Sequence, residues 1–592
     1  MSGTSGTGGA PEFAPAVPAS VTLLDGLFTY AAERYPEQLI GATDPQQAVT
    51  FRQLERDGLA LAAELRARGV EPGAPVVFPA GSPADFFPVL NAIVSVGAIA
   101  VPVSARAGRN QASAARLRHI VEDCRAALIL ADDDAVPVLA EVLPDVTTQP
   151  LSELLRTARA SAPAAPGDVR PPGRDPGDLA LIQYTSGSTS HPRGVALTHR
   201  NVLAALRIIP AALRPRTTDV ISHWLPLSHD LGLFGSLASL GSGIRVCVSA
   251  PRDFVKQPAE WLAASCAAGA TILVGPDFFY QYLVEAVPAD EVAGFDLSGV
   301  RLALNGAEPI DPEGLGRFAR HFAAAGFRAQ AQVPCYGLAE ATLPVSFDSD
   351  SRPPTIDWVD RAALNDERKA IPATTGARGV VNCGTPAPGV EVRVTADGEV
   401  VGERAVGEIE IRGEAVTAGY YREPAPSGLP GGWRGTGDLG YLADGCVHIT
   451  GRSKEILILA GQNHYPQDIE DAVRDAPGLF RRSAIAVVLP ADPDAGLPER
   501  LCVFAEVATE GPYTETVAAI RRSAAEVLGG ASVDVVLLPA LAISRTTSGK
   551  FQRLLMRRRL LEGTLRKVVA RVSAAEALPA AGAGRGGAPS LG

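Results

Sequence analysis

Leu179-Ala180-Leu181-Ile182-Gln183-Tyr184-Thr185-Ser186-Gly187-Ser188-Thr189-Ser190-His191-Pro192-Arg193-Gly194-Val195 joins two textures. Its opening residues form an apolar run with the length of a buried strand. The residues after it crowd hydroxyls, glycine and one cation into a loop. Bare backbone amides and hydroxyls approach phosphate oxygens closely, and an arginine offsets their charge, so the strand-to-loop junction reads as a polyphosphate cradle. The plainer alternative is a solvated Ser/Thr/Gly turn. A Walker A loop is excluded. That motif needs Gly-Lys-Ser/Thr at the fifth to seventh positions after its first glycine, and Gly187 is followed there by Pro192, Arg193 and Gly194.

On either side of this junction, short apolar runs at Pro75–Pro79, Ala127–Leu130, Thr271–Val274 and Val300–Leu304 alternate with helical patterns. That alternation predicts an α/β protein built on largely parallel sheets. The Pro/Gly/Ala-rich stretch from Ser161 to Gly177 reads as an exposed linker. From about Val390 the texture becomes strands alternating with glycine turns, which predicts a small β-rich subdomain. From about Ser453 to Arg571 strands mix with helices in a unit the size of a small α+β domain. Residues 1–18 and 574–592 have no periodic apolar positions and read as flexible tails.

Composition bounds the function. Of 592 residues 46% are hydrophobic and 20% charged, the balance of a folded chain rather than a disordered one. Lys plus Arg number 54 against 65 Asp plus Glu, a net charge of −11, so no overall basic field attracts nucleic acid or an anionic membrane. The seven cysteines are scattered without a CxxC, which argues against zinc and against a disulfide framework. No secretory signal follows Met1, and a cytoplasmic location is the expectation. The most apolar stretch, Pro88 to Val103, is broken by Pro, Asn, Ser and Gly and is shorter than the ~20 residues a membrane span needs. It reads as a helix running into a buried strand.

The Tyr184–Gly194 loop resembles the phosphate-binding signature of the adenylate-forming superfamily, usually written YTSGSTGxPKG; that superfamily holds acyl-CoA synthetases, luciferases and nonribosomal adenylation domains. The resemblance implies that Thr185, Ser186, Gly187, Ser188, Thr189 and Arg193 hold the phosphates of ATP. Ser190 replaces a glycine, and Arg193 replaces the usual lysine, exchanging a mobile point donor for a planar fork. Further motifs follow in the family's order. Trp224-Leu225-Pro226-Leu227-Ser228-His229-Asp230-Leu231-Gly232 resembles the segment closing the acyl pocket, which implies roles there for Trp224, His229, Asp230 and Gly232, joined by Phe278 and Phe279 from Val274–Tyr282. Asn305-Gly306-Ala307-Glu308-Pro309 resembles the strand-end loop that holds adenine. In Cys335-Tyr336-Gly337-Leu338-Ala339-Glu340, Tyr336 is implied to stack on adenine, with Gly337 and Ala339 beside the nucleotide and Glu340 as the Mg2+ ligand, a hard carboxylate for a hard cation. Ala339 replaces the threonine common in acyl-CoA synthetases. Asp438, in Gly435-Thr436-Gly437-Asp438, is implied to accept hydrogen bonds from the ribose hydroxyls. Arg452 follows as a second ribose contact, Lys454 as the hinge, and Lys550, in Arg545-Thr546-Thr547-Ser548-Gly549-Lys550, as the catalytic lysine.

The implied fold is a large N-terminal domain over residues 19–452, made of two α/β sheet subdomains and a β-rich subdomain at about 384–452, followed by a small mobile α+β domain at 453–573. The implied chemistry is ATP-dependent activation of a carboxylic acid to an acyl-adenylate. Gly461-Gln462-Asn463-His464-Tyr465-Pro466-Gln467-Asp468-Ile469-Glu470 resembles the GxNxYPQDIE segment of fatty acyl-AMP ligases. The polar stretch at about 346–383 resembles the insertion that in those enzymes disfavours transfer to free CoA. Together they imply a fatty acid substrate and, as acceptor, the phosphopantetheine thiol of an acyl carrier protein. An acyl-CoA or aryl-CoA synthetase and a catalytically silent nucleotide-binding scaffold are the alternatives. The aromatics at Phe278 and Phe279 either line an acyl tunnel or plug it, and the sequence does not choose.

Overall fold

A computed structural model describes residues 13–161, 164–185, 192–423, 432–459, 462–492, 498–508, 511–528, 533–546 and 549–573. They belong to two compact units, Met1–Asp360 with Lys369–Thr450, and Arg361–Arg368 with Gly451–Gly592. The division therefore falls after Thr450, and eight residues from within the 346–383 stretch belong to the second unit.

Among the described residues, the first unit carries a six-stranded sheet in the order Thr148–Pro150, Leu128–Ala131, Pro75–Ala80, Ile99–Ser104, Leu179–Thr185, Arg193–Thr198. Its strands are parallel except for the last pair. Pro75–Ala80 is buried at all six positions, which is why it appears in the sequence as an unbroken apolar run. Leu179–Thr185 and Arg193–Thr198 form an antiparallel hairpin whose register sets Thr185 opposite Arg193. Both ends of the Ser/Gly/Thr loop are thereby pinned. Ser186, Gly187, Ser188 and Thr189 themselves lie outside the described residues.

A nine-stranded sheet runs Thr385–Pro386, Leu343–Phe347, Gln332–Leu338, Leu302–Asn305, Ile272–Gly275, Val220–His223, Arg245–Val248, Leu39–Gly41, Ala48–Thr50. Its six central strands are parallel and its edges antiparallel. Pro88–Val103 is the helix Pro83–Ser95 leading into Ile99–Ser104. A five-stranded antiparallel sheet built on Val390–Ala396, Gly407–Gly413 and Arg434–Ala443 forms the β-rich part.

Two stretches are more ordered than their composition suggests. Residues 13–18 are not tail: Ala14 donates its N–H to Pro215 O at 2.7 Å, and Ala14 and Val17 are buried. Two apolar anchors are too few to show a period in sequence. Within Ser161–Gly177, the turn Pro166–Val169 buries Val169, and Arg170 and Arg174 both reach the carboxylate of Asp25, which is 2% exposed. The stretch is held by ion pairs to a distant helix, a tie that local composition cannot reveal.

The second unit has a four-stranded sheet, Leu479–Leu489, Arg500–Val507, Val533–Pro539 and Ala570–Val572. Apolar residues cover both its faces: Ile469, Val503, Val517, Ile520 and Val535 on one, Ile485, Phe504, Val536 and Met556 on the other. Arg553 clasps Glu470 with two bonds of 2.7 Å and reaches Glu455 at 2.9 Å. The π-helical turn Ala363–Glu367 packs on the strand Gln462–His464 and buries Ala363 and Leu364. Among the described residues no helix is long and apolar enough to cross a membrane.

Candidate active site

In an open α/β sheet, ligands bind beyond the carboxyl ends of the strands. Three of the quoted motifs start there. Trp224 follows the strand Val220–His223, Asp277 and Phe278 follow Ile272–Gly275, and Asn305 closes Leu302–Asn305. The next parallel strand, Gln332–Leu338, ends on Tyr336, Gly337 and Leu338 and runs into a turn holding Ala339 and Glu340.

These segments approach closely because small residues allow it. A Cβ on Gly306 would lie 2.6 Å from Cys335 Sγ and 2.7 Å from its carbonyl oxygen. One on Gly337 would lie 1.9 Å from Leu343 O, so that position admits only glycine. Ala307 holds a left-handed backbone with φ of 69°. Cys335 Sγ, whose thiol is pushed up to about 12 by burial, lies 3.3 Å from Asn305 O and joins the two strand ends.

A series of side-chain contacts then links residues far apart in sequence. Tyr336 OH donates to Asp438 Oδ2 at 2.7 Å, and Asp438 is buried. Tyr420 OH donates to Glu340 Oε1 at 2.6 Å. Burial and the Glu340 carboxylate push the Tyr420 phenol up to about 12, so it stays a donor across the ordinary pH range. The guanidinium of Arg193 lies over the Tyr420 ring at 3.5 Å, and that of Arg434 at 5.0 Å. Arg193 also makes a forked pair with Glu423, one arm at 2.9 Å; this raises the arginine's pKa and lowers that of the glutamate. Glu308 Oε1 accepts the N–H of Phe278 at 2.7 Å, fixing the adenine-type loop against the start of the helix Asp277–Ala286.

The acyl-pocket candidates divide. Trp224 and Phe279 are buried in an aromatic cluster, Trp224 stacked on Phe254 at 4.5 Å and Phe279 edge-on to Trp261 at 5.2 Å. Phe278 is only half-buried and packs on Tyr282 at 5.2 Å. His229 is the N-cap residue of the helix Asp230–Gly241, with Nδ1 2.6 Å from Asp230 Oδ1. Gly232 lets that helix sit against the preceding segment, since a Cβ there would be 2.6 Å from Pro226 O.

Arg452, Lys454 and Lys550 belong to the second unit. Arg452 ends the strand Cys446–Arg452, and Lys454 lies exposed in the turn Ser453–Glu455. Lys550 is half-buried in a tight reversal in which Thr546 N donates to Lys550 O at 2.8 Å and Lys550 N to Thr546 Oγ1 at 3.1 Å. Arg545, over the Phe551 ring at 3.9 Å, braces the same turn.

Tyr420, Glu423 and Asp277 were not singled out from the sequence. Each earns its place through a partner 80, 230 or 28 residues away, and no local spacing signals such a contact.

The AMP-binding enzyme family matches residues 28–421. The chain belongs to that family. It is 33% identical over 553 residues to the medium-chain-fatty-acid acyl-carrier-protein ligase JamA of Moorena producens, covering 89% of this chain and 92% of that protein. It is 32% identical over 577 residues to the long-chain-fatty-acid–AMP ligase FadD32 of Mycolicibacterium smegmatis, covering 88% and 90%. A solved structure from work on fatty acyl-adenylate ligases of E. coli and L. pneumophila aligns with a TM-score of 0.84 at 30% identity, over 93% of this chain and 99% of that one. As in other AMP-binding enzymes, the nucleotide substrate is ATP.

Proposed function

We propose that this AMP-binding enzyme activates a fatty or related carboxylic acid with ATP, releases pyrophosphate, and passes the acyl group from acyl-AMP to the phosphopantetheine thiol of an acyl carrier protein. The observation that carries this reading is the contact series Asp438–Tyr336 and Glu340–Tyr420–Arg193, which joins the ribose, adenine, metal and phosphate candidates at the strand ends. Relatives named as acyl-carrier-protein and acyl-AMP ligases support the choice of substrate and acceptor.

The roles follow from charge. A carboxylate attacking ATP brings two anions together, so the site must first neutralise the triphosphate. Arg193 presents a planar fork suited to phosphate oxygens, and Glu423 pairs with the same fork. Asp438 accepts the ribose hydroxyls, and Tyr336, tied to Asp438, is held for stacking on adenine. Mg2+ fits Glu340. Its carboxylate is a hard donor of the kind a hard divalent cation takes. Glu340, held in place by Tyr420, would hold the ion, which when bound would supply charge neutralisation on the phosphates. His229 borders the entering acid. Arg452 adds a ribose contact, Lys454 serves as hinge and Lys550 as the catalytic cation.

Incubation with ATP, a panel of fatty acids and either CoA or holo-acyl carrier protein tests the reading. Acyl-carrier formation is expected; efficient acyl-CoA formation overturns the acceptor, and no acid-dependent ATP–pyrophosphate exchange with any acid overturns the enzyme. Asp438→Ala is expected to weaken AMP binding by about 10- to 100-fold, as loss of a charged hydrogen-bond acceptor does. An unchanged affinity by calorimetry removes Asp438 from the ribose site. Tyr336→Phe removes the phenol that donates to Asp438 but keeps the ring, and is expected to weaken AMP binding by less than about tenfold. Loss as large as that of Asp438→Ala contradicts the stacking role.

A further inference from the structure

Asp277 stands at the start of the helix Asp277–Ala286, just beyond the strand Ile272–Gly275, and is 5% exposed. Its Oδ1 accepts from Asn305 Nδ2 at 2.9 Å and its Oδ2 from Gln281 Nε2 at 2.6 Å. Asn305 is 2% exposed, and its Oδ1 is buried with no hydrogen-bond partner among the described residues. An unmet buried acceptor is a standing penalty, and such an atom in a ligand loop points to a donor that arrives with the ligand. Asp277 fixes which way the amide is turned. An ionised carboxylate only accepts, so the Asn305 carboxamide faces Asp277 through its amino end and turns its oxygen away from it.

We infer that Asp277 is a positioning residue for base selection, locking the Asn305 carboxamide so that Oδ1 serves as the acceptor for the exocyclic amino group of adenine. This rests on the nucleotide-binding reading of the Asn305–Glu308 loop. A purine with a carbonyl at C6 would set acceptor against acceptor there and be disfavoured.

The lock depends on ionisation. Burial, then the charges of Asp311 and Glu308, push the Asp277 carboxyl up to about 7, while Asn305 and Gln281 pull it down. Asp311 is itself paired with Arg317 at 2.9 Å. Tyr280, donating to Leu304 O at 2.7 Å, and Cys335 are pushed up by burial and stay neutral. As pH falls through about 7, Asp277 gains a proton and becomes able to donate, and the amide is free to turn.

The test is calorimetric binding of AMP and IMP to the full chain at pH 8.5 and pH 6. The wild-type protein is expected to prefer AMP by about tenfold or more at the higher pH, with the margin shrinking at the lower. In Asp277→Asn two facing amides pair in either orientation, so the margin is expected to fall to about twofold or less at both pH values. Asn305→Ala is expected to lose the same margin by weakening AMP alone. A full margin in Asp277→Asn, equal weakening of both nucleotides, or a pH-independent margin in the wild-type protein overturns the inference. The wild-type measurement decides even if a variant fails to fold. A wild-type protein that binds neither nucleotide overturns the nucleotide site itself, a result distinct from tight AMP binding without selectivity.

Discussion

Lys550→Ala is expected to slow acid-dependent ATP–pyrophosphate exchange by about 10²–10³-fold, the usual consequence of removing a group that stabilises charge in the transition state. Transfer from preformed acyl-adenylate to holo-carrier protein is expected to stay within about threefold of wild type, since that step no longer has a pyrophosphate to expel. The local structure makes the comparison clean. The turn holding Lys550 is closed by its own backbone N–H and C=O against Thr546, and Arg545 stacks on Phe551. These contacts run through backbone atoms, the Thr546 hydroxyl and the Arg545 and Phe551 side chains. Equal loss in both half-reactions contradicts the assigned role.

The largest expected effect on stability comes from Asp25→Ala. The carboxylate is 2% exposed and receives Arg174 through two bonds of 2.9 Å and Arg170 at 2.7 Å. Removing it leaves two largely buried guanidinium groups without their counter-charge, which costs about 3–5 kcal/mol. Urea unfolding of the variant is expected to show this as a lowered midpoint. A change under about 1 kcal/mol would mean that water compensates both cations as well as the carboxylate does.

Asp25 also marks a limit of what the sequence makes readable. The parallel strands were legible because residues such as Val76, Val77 and Phe78 are covered on both faces and leave unbroken apolar runs. Helix and strand within Pro88–Val103 were separable because the Val96-Gly97-Ala98 break stands between them. The Ser161–Gly177 stretch is exposed along much of its length, as its composition predicts, but its order comes from Arg170 and Arg174 meeting a carboxylate about 145 residues away. The site follows the same rule. Asn305, Tyr336, Glu340 and Asp438 stand in motifs and could be picked out, whereas Tyr420 and Glu423 matter through contacts across the first unit. Asp277 was within a quoted segment, yet its importance lies in the Asn305 amide it faces.

The turn Ala363–Glu367 bears on any attempt to exchange parts of this enzyme. It buries Leu364 in a body whose remaining sequence begins at Gly451, and it backs the strand Gln462–His464. A graft joined at a single cut near residue 450 would bring that strand into its new host bare on one side. Successful chimaeras should need two junctions, with the eight-residue patch travelling alongside the carboxyl-terminal piece.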